Sequence, residues 1–306
     1  MTTDPYSIPI LTAGRGWLVV EKPSGLSVQE EQGRGLCSVL RSQIETDPNL
    51  WHRVDYDPRF GVHPVHRLDR ETSGVMLLAC QPKIFSYFAK QFQDHKVRKR
   101  YVALLHGELP DPGVEQGWGL WTRPLSKEAG GRFHPEGPGT TTPCETRFRV
   151  LRRSAHYTLV ECDLLTGRKH QIRRHARLAG HAVVGDARYG TPRSLKFLRE
   201  EMGFTRLALH SFSLQVQPPR AGAPRVFQSP AIPPEISAFW RKIREMKCPM
   251  VFLEKRNWKL DRDRSRQYKT RPARLNRAEE RPAIRKADGR HSERHFDEIP
   301  DPYSWH

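Results

Sequence analysis

His63–Ala79, HPVHRLDRETSGVMLLA, joins a polar, multiply charged stretch to an apolar run without a break. The run Ser73–Cys80, SGVMLLAC, is short and uninterrupted, which fits a strand buried on both faces. Thr72, Ser73 and Gly74 are turn formers, so the chain reverses just before it enters that strand. Asp69 therefore sits at the mouth of a rigid element. A carboxylate there has two readings, and local pattern alone leaves both open. It is a nucleophile or general base, or it caps the turn through Thr72 or Ser73.

Working outward, Gly16–Pro23 (GWLVVEKP) reads as a strand ending in a Pro-Ser-Gly turn. Pro82–Lys96 has helical spacing, with Phe85, Phe88 and Phe92 on one face and Pro82 in the first turn. Those rings are expected in the core. A strand starts at Arg98 (RKRYVALLHGEL). Leu109–Pro143, rich in Gly and Pro, reads as a long loop or loose hairpin. TRFRVLRR and HYTLVECDLL form two strands joined near Ser154. GRKHQIRRHARLAG, Gly167–Gly180, is expected to be a helix closed by Gly180. Ile172, Ala176 and Ala179 make its narrow apolar stripe, with Arg173, Arg174 and Arg177 off it. Those arginines could meet phosphates, neutralise a buried carboxylate, or simply be solvated. RLALHSFSLQV, from Arg206, is a last strand, and PPEISAFWRKIREM, from Pro233, a terminal helix. Strands and helices alternate without strict βαβ order, a Gly-rich nucleotide loop or an internal repeat. The expected class is α+β, with a mixed, largely antiparallel sheet flanked by helices.

The chain has 306 residues, 37% hydrophobic and 28% charged, with a formal net charge of +18. Its pI is about 10.1 and its mean hydropathy −0.70. No apolar stretch approaches the roughly 20 residues of a membrane span, and the first residues show no secretory signal. Excess Lys and Arg attracts polyanions, chiefly nucleic-acid backbones. Lys255–Arg294 concentrates that excess, with 15 Lys and Arg against 6 Asp and Glu. The division expected is a lead-in over 1–15, a domain over 16–250 and a basic, disordered tail over 251–306. The tail would either add salt-sensitive RNA affinity or serve solubility. Trp258 and Tyr268 within it could stack on bases.

Cys37, Cys80, Cys144, Cys162 and Cys248 form no CxxC pair, which fits a reducing cytoplasm without a disulfide framework. His63, His66, His170, His175 and His181 lack the HExxH pattern and nearby acidic partners, so no metal is expected.

The HRLD-x-x-TSG stretch resembles the RluA-type RNA pseudouridine synthases. EKPSGLSV, KRYVALLHG, LLTGRKHQIRRHARLAGHAVVGDARYG and RLALHSFSL agree with further segments of that family, in order, from about Gly16 to Met250. The resemblance implies a central RNA-binding cleft and the cofactor-free isomerisation of a uridine within an RNA chain. It implies that Asp69 is the essential carboxylate, through attack at C1′ or proton removal from C2′. Tyr101 matches the tyrosine that stacks on the target base, and Arg173 the arginine that pairs with the aspartate, expected as a two-pronged contact. Arg67 matches the side chain that fills the space of the flipped base, and Leu207 an aliphatic wall beside the uracil. His66, Leu68, Arg168, His170 and Gln171, which flank these positions, are implied substrate contacts. Ala182 stands where the family often has Pro, and no S4-type RNA-binding module is recognised before Gly16. RRHARLAGH with RYGTPRSLKFLREEMGFTRLALHS looks more like the branch acting on uridine 65 of transfer RNA than like the ribosomal branches. The expected partner is RNA, transfer or ribosomal, bound by a monomer with no membrane association.

Overall fold

Ser73–Ala79, β4, is buried at all seven positions. Only a strand covered on both faces tolerates such a run. In this computed structural model, which describes residues 7–29, 35–110, 112 and 117–245, β4 lies inside a 10-stranded sheet. The remaining strands are β1 (Ile10–Gly14), β2 (Trp17–Lys22), β3 (His63–Pro64), β5 (Arg98–His106), β6 (Gly119–Trp121), β9 (Thr146–Arg153), β10 (Tyr157–Leu164), β11 (Leu209–Val216) and β12 (Arg225–Gln228). Their order is β1-β2-β4-β11-β5-β10-β9-β6, with β12 on β11 and β3 on β4. The β4–β11 pair is parallel, through His210↔Ser73 and Ser211↔Gly74; the other named pairs are antiparallel. The sheet is mixed and largely antiparallel, as expected. β7 (Leu125–Ser126) and β8 (Thr141–Thr142) pair separately. The helices are α1 (Leu36–Thr46), α2 (Pro48–Val54), α3 (Pro82–Gln93), α4 (Gln171–Leu178), α5 (Pro192–Glu200) and α6 (Pro234–Glu245).

Three differences from the sequence reading have local causes. Ile10–Gly14 is no lead-in: it pairs with β2 across the Arg15–Gly16 turn, where Gly16 has φ +80°. Its five residues are all half-buried, which gives no alternation to read. Within Leu109–Pro143 the β7–β8 pair is the loose hairpin of the sequence reading, but β6 is an unexpected strand that extends the sheet edge on β9. The helix expected from Gly167 starts four residues later, since His170 takes left-handed backbone angles, φ 55° and ψ 28°. Of the readings left open for the arginines off its stripe, the solvated face is removed for Arg173 and Arg174, 3% and 0% exposed, and Arg173 neutralises the buried Asp186. Of the three Phe rings on α3, Phe88 is fully buried. Phe92 instead stacks on His66, with centroids 5.1 Å apart. The basic tail, with Trp258 and Tyr268, lies outside the described residues. Among those described, no helix is long and apolar enough to cross a membrane.

Candidate active site

Gly74, at the start of β4, has φ +115°, and a Cβ there would lie 2.2 Å from the Ser211 carbonyl. No side chain fits, so the loop before it is drawn tightly onto β11. The turn after β2 clamps the same loop from the other side. The fully buried Lys22 donates to the carbonyls of Pro23 (2.9 Å), Leu26 (2.7 Å) and Arg70 (3.0 Å). Burial pulls its ammonium down to about 8. Ser24 donates to the Glu71 carbonyl at 2.6 Å, and the Gly25 N–H to that of Arg70 at 2.9 Å. The Thr72 N–H closes the turn on the Asp69 carbonyl at 3.1 Å. Backbone groups therefore hold this loop. The Asp69 side chain is not spent on the cap, which removes one of its two sequence readings. Its oxygens face Arg173 Nη1 at 3.3 Å and His170 Nε2 at 3.6 Å.

Arg173 arrives from the first turn of α4. Its two-pronged contact goes to Asp186 rather than Asp69, which corrects the expectation. Nε donates to Oδ2 at 2.7 Å and Nη2 to Oδ1 at 2.9 Å. Nη1 is left for Asp69 and Glu71, each at 3.3 Å. Burial opposes the guanidinium's charge, but the bonds and charge of Asp186, then Asp69 and Glu71, outweigh it and hold its pKa above the ordinary value. The Asp186 Oδ1 also accepts the N–H groups of Arg188 and Tyr189. Burial pushes His170 down to about 4 against the pull of Asp69. Its imidazole is neutral at pH 7, with Nδ1 3.0 Å from the Tyr189 hydroxyl.

Tyr101 stands on β5 between β10 and β11. Its hydroxyl meets Ser211, whose own proton goes to the Val75 carbonyl at 3.1 Å. Burial, then the charge of Asp69, holds the phenol above its usual pKa, so it keeps its proton. Asp69, Tyr101 and Arg173 line one lobe of a cleft, about 700 Å³ in volume. His66, Arg168 and Gln171 line the same lobe. Leu207 lines a second lobe of about 970 Å³. Arg67, Leu68, Asp69, His170 and Arg173 border both. Arg67, Arg168 and Lys169 are exposed around the opening, a cationic rim that attracts phosphates. The His66 Nε2 accepts the Leu77 N–H at 3.1 Å. The Gln171 amide is fully engaged: its oxygen accepts from Thr166 and from the Arg168 N–H, and its NH2 donates to the Glu145 carbonyl and Thr146.

The sequence reading missed Asp186, Glu71 and Lys22. Asp186 had a signal, since an Asp in a tight GDARYG turn beside a basic helix is a natural guanidinium partner. Lys99, half-buried on β5, also lines the smaller lobe. Burial lowers its pKa. Among the described residues no three His, Cys, Asp or Glu side chains are grouped to hold a metal.

A mixed sheet delivers a sparsely bonded carboxylate, a neutral phenol and an oriented guanidinium to one cation-rimmed cleft. Residues 16–178 match the family model described as RNA pseudouridylate synthase, and the chain belongs to that family. It is 30% identical over 230 residues to ribosomal large subunit pseudouridine synthase D of Nitrosomonas europaea, covering 75% of this chain and 63% of that protein. It is 34% identical over 234 residues to ribosomal large subunit pseudouridine synthase C of Pasteurella multocida, covering 75% and 66%. With tRNA pseudouridine synthase C of Salmonella typhimurium it shares 32% identity over 230 residues, 70% of this chain and 82% of that one. The chain thus spans just under two thirds of the first two relatives. The solved structure of human RNA Pseudouridylate Synthase Domain Containing 4 shares the fold, with a TM-score of 0.61 at 23% identity, over 77% of this chain and 93% of that one.

Proposed function

We propose that this chain isomerises a uridine in a structured RNA to pseudouridine, with transfer RNA rather than ribosomal RNA as substrate. The observation that carries this reading is the convergence of Asp69, Tyr101 and Arg173 on one cleft lobe. The target base leaves its stack, which costs a few kcal/mol. Arg67, exposed at the opening, takes the vacated space and offsets part of that cost. Asp69 attacks C1′ or removes a proton from C2′. The N1–C1′ bond breaks, the uracil rotates, and C5 bonds to C1′ as the Asp69–C1′ bond breaks or, on the second route, as the proton returns from Asp69 to C2′. The C5 proton is lost and N1 gains one, so atoms balance without a co-reactant. Arg173, pinned by Asp186, aims one N–H at Asp69 and fixes its orientation. Tyr101 stacks on the uracil and excludes water, and Leu207 walls the pocket. His66 and Leu68 shape the loop around Asp69. Arg168 takes phosphate, and His170 and Gln171 hold the turn that presents it.

The transfer-RNA preference is supported by the RYGTPRSLKFLREEMGFTRLALHS stretch. The test uses transcripts carrying 5-tritiated uridine, one a transfer RNA and one a large-subunit ribosomal RNA. Tritium release from the transfer RNA is expected. Release from ribosomal RNA alone reverses the substrate choice. Tight binding without release from either makes the chain a non-catalytic RNA-binding protein.

A further inference from the structure

The turn between β7 and β8 takes no part in the chemistry above, yet it is built with care. At its tip Phe133 is 80% exposed, more than any other large apolar side chain among the described residues. A lone exposed ring needs no explanation. What sets this one apart is how its backbone is held. Surface turns usually leave their carbonyls to water, but here three guanidiniums take five of them, together with that of Ser126 at the end of β7. Arg188 donates to the carbonyls of Ala129 (2.6 Å) and Gly130 (2.8 Å). Arg177 donates to that of Arg132 at 3.3 Å. Arg174 donates to those of Ser126 (3.0 Å), Pro135 (2.5 Å) and Glu136. The turn is also tight across its neck, where a Cβ on Gly130 would lie 1.9 Å from the His134 carbonyl.

The arginines that hold the turn belong to the site's own frame. Arg174 follows Arg173 on α4. Arg188 lines the larger lobe, and its N–H bonds the same Asp186 oxygen that anchors Arg173. Lys127, at the base of the turn, lines the smaller lobe. The backbone that carries the ring is thus braced against the helix and turn that set the guanidinium facing Asp69, with Arg132 and His134 beside Phe133 in sequence and Lys127 nearer the cleft. A flat apolar ring on a turn whose backbone is braced in advance, with Arg132 adjacent in sequence, fits a nucleobase with its phosphate: the base stacks and the phosphate meets the guanidinium.

We infer that Phe133 is a stacking platform for an unpaired base of the bound RNA outside the uridine pocket. This rests on the RNA-modifying reading, and makes the β7–β8 turn a determinant of which RNA is accepted. The test compares wild type with F133A, F133L and F133W, using the transfer-RNA transcript for affinity and tritium release. F133A and F133L are expected to weaken binding by roughly 5- to 150-fold, the range for loss of one base stack. KM rises with it, kcat at saturating RNA stays within about threefold, and F133W binds like wild type. Melting temperatures stay unchanged, since the ring is exposed. Wild-type affinity in F133A overturns the platform, and wild-type affinity in F133L overturns stacking in favour of plain apolar contact. If wild type binds RNA but releases no tritium, the isomerase reading fails, while the affinity comparison still decides the platform.

Discussion

Asp186 and Asp69 lie on two sides of one guanidinium, in two differently built regions. In the 186–190 turn, Asp186 receives Arg173 at 2.7 and 2.9 Å and two backbone N–H groups, with its side chain 0% exposed. In the loop after β3, Asp69 has the same guanidinium at 3.3 Å, a neutral imidazole at 3.6 Å, and 16% exposure to the cleft. A saturated carboxylate is a fixture, because each bond it holds must break before it can react. A carboxylate left short of partners, on a backbone that cannot move, is ready for chemistry. The saturated partner makes the sparse one useful by aiming the arginine at it.

The largest effect that sharpens this contrast is on stability. Asp186→Ala leaves a buried guanidinium without its main partner and should cost about 3–5 kcal/mol in urea unfolding. Asp69→Ala should cost less than about 1 kcal/mol, because Asp186 still holds the arginine. Equal losses would erase the distinction. Next comes turnover. Arg173→Lys cannot serve Asp186 twice and Asp69 once, so kcat/KM should fall by roughly 100-fold or more. Near-normal kcat/KM would mean that the aimed N–H is dispensable.

A third carboxylate tests the opposite case, burial without saturation. Burial pushes Glu21 up to about 7, against the Ser229 hydrogen bond and the charge of Arg206, and one of its oxygens has no partner. His210, 3.7 Å away, is pushed down to about 3 by burial and by Arg206, so it offers no charge. Because the folded pKa exceeds the unfolded value of 4.5, the contribution of Glu21 is intact below pH 4.5. It is lost as pH rises through 7. Glu21→Gln, neutral throughout, should be more stable than wild type at pH 8 by on the order of 1 kcal/mol, with the gap closing by pH 5 in thermal melts. The smallest effect is at Glu71, which is 50% exposed though 3.3 Å from Arg173. Glu71→Gln should change kcat/KM by less than about threefold.

What the sequence made legible follows from where the information lies. TRFRVLRR and SGVMLLA carry their strands in local alternation or continuous apolarity, and both appear where expected. Asp69 and Arg173 were readable through motif resemblance, but their bonding was not, since the competitor for Arg173 is the distant Asp186. The start of α4 was misread because residues Gly167–Lys169 have ordinary helical polarity. Only the left-handed backbone of His170 stops the helix there. The burial of Arg174 was equally illegible, since the carbonyls it meets come from residues some 40 positions earlier.

The most direct test of a reactive, sparsely bonded Asp69 is tritium release by Asp69→Asn from the transfer-RNA transcript, read beside its affinity for the same RNA. Release should drop by roughly a thousandfold or more, with binding within about threefold of wild type. Release at the wild-type rate by that variant would contradict the account, because the amide neither attacks C1′ nor takes the C2′ proton.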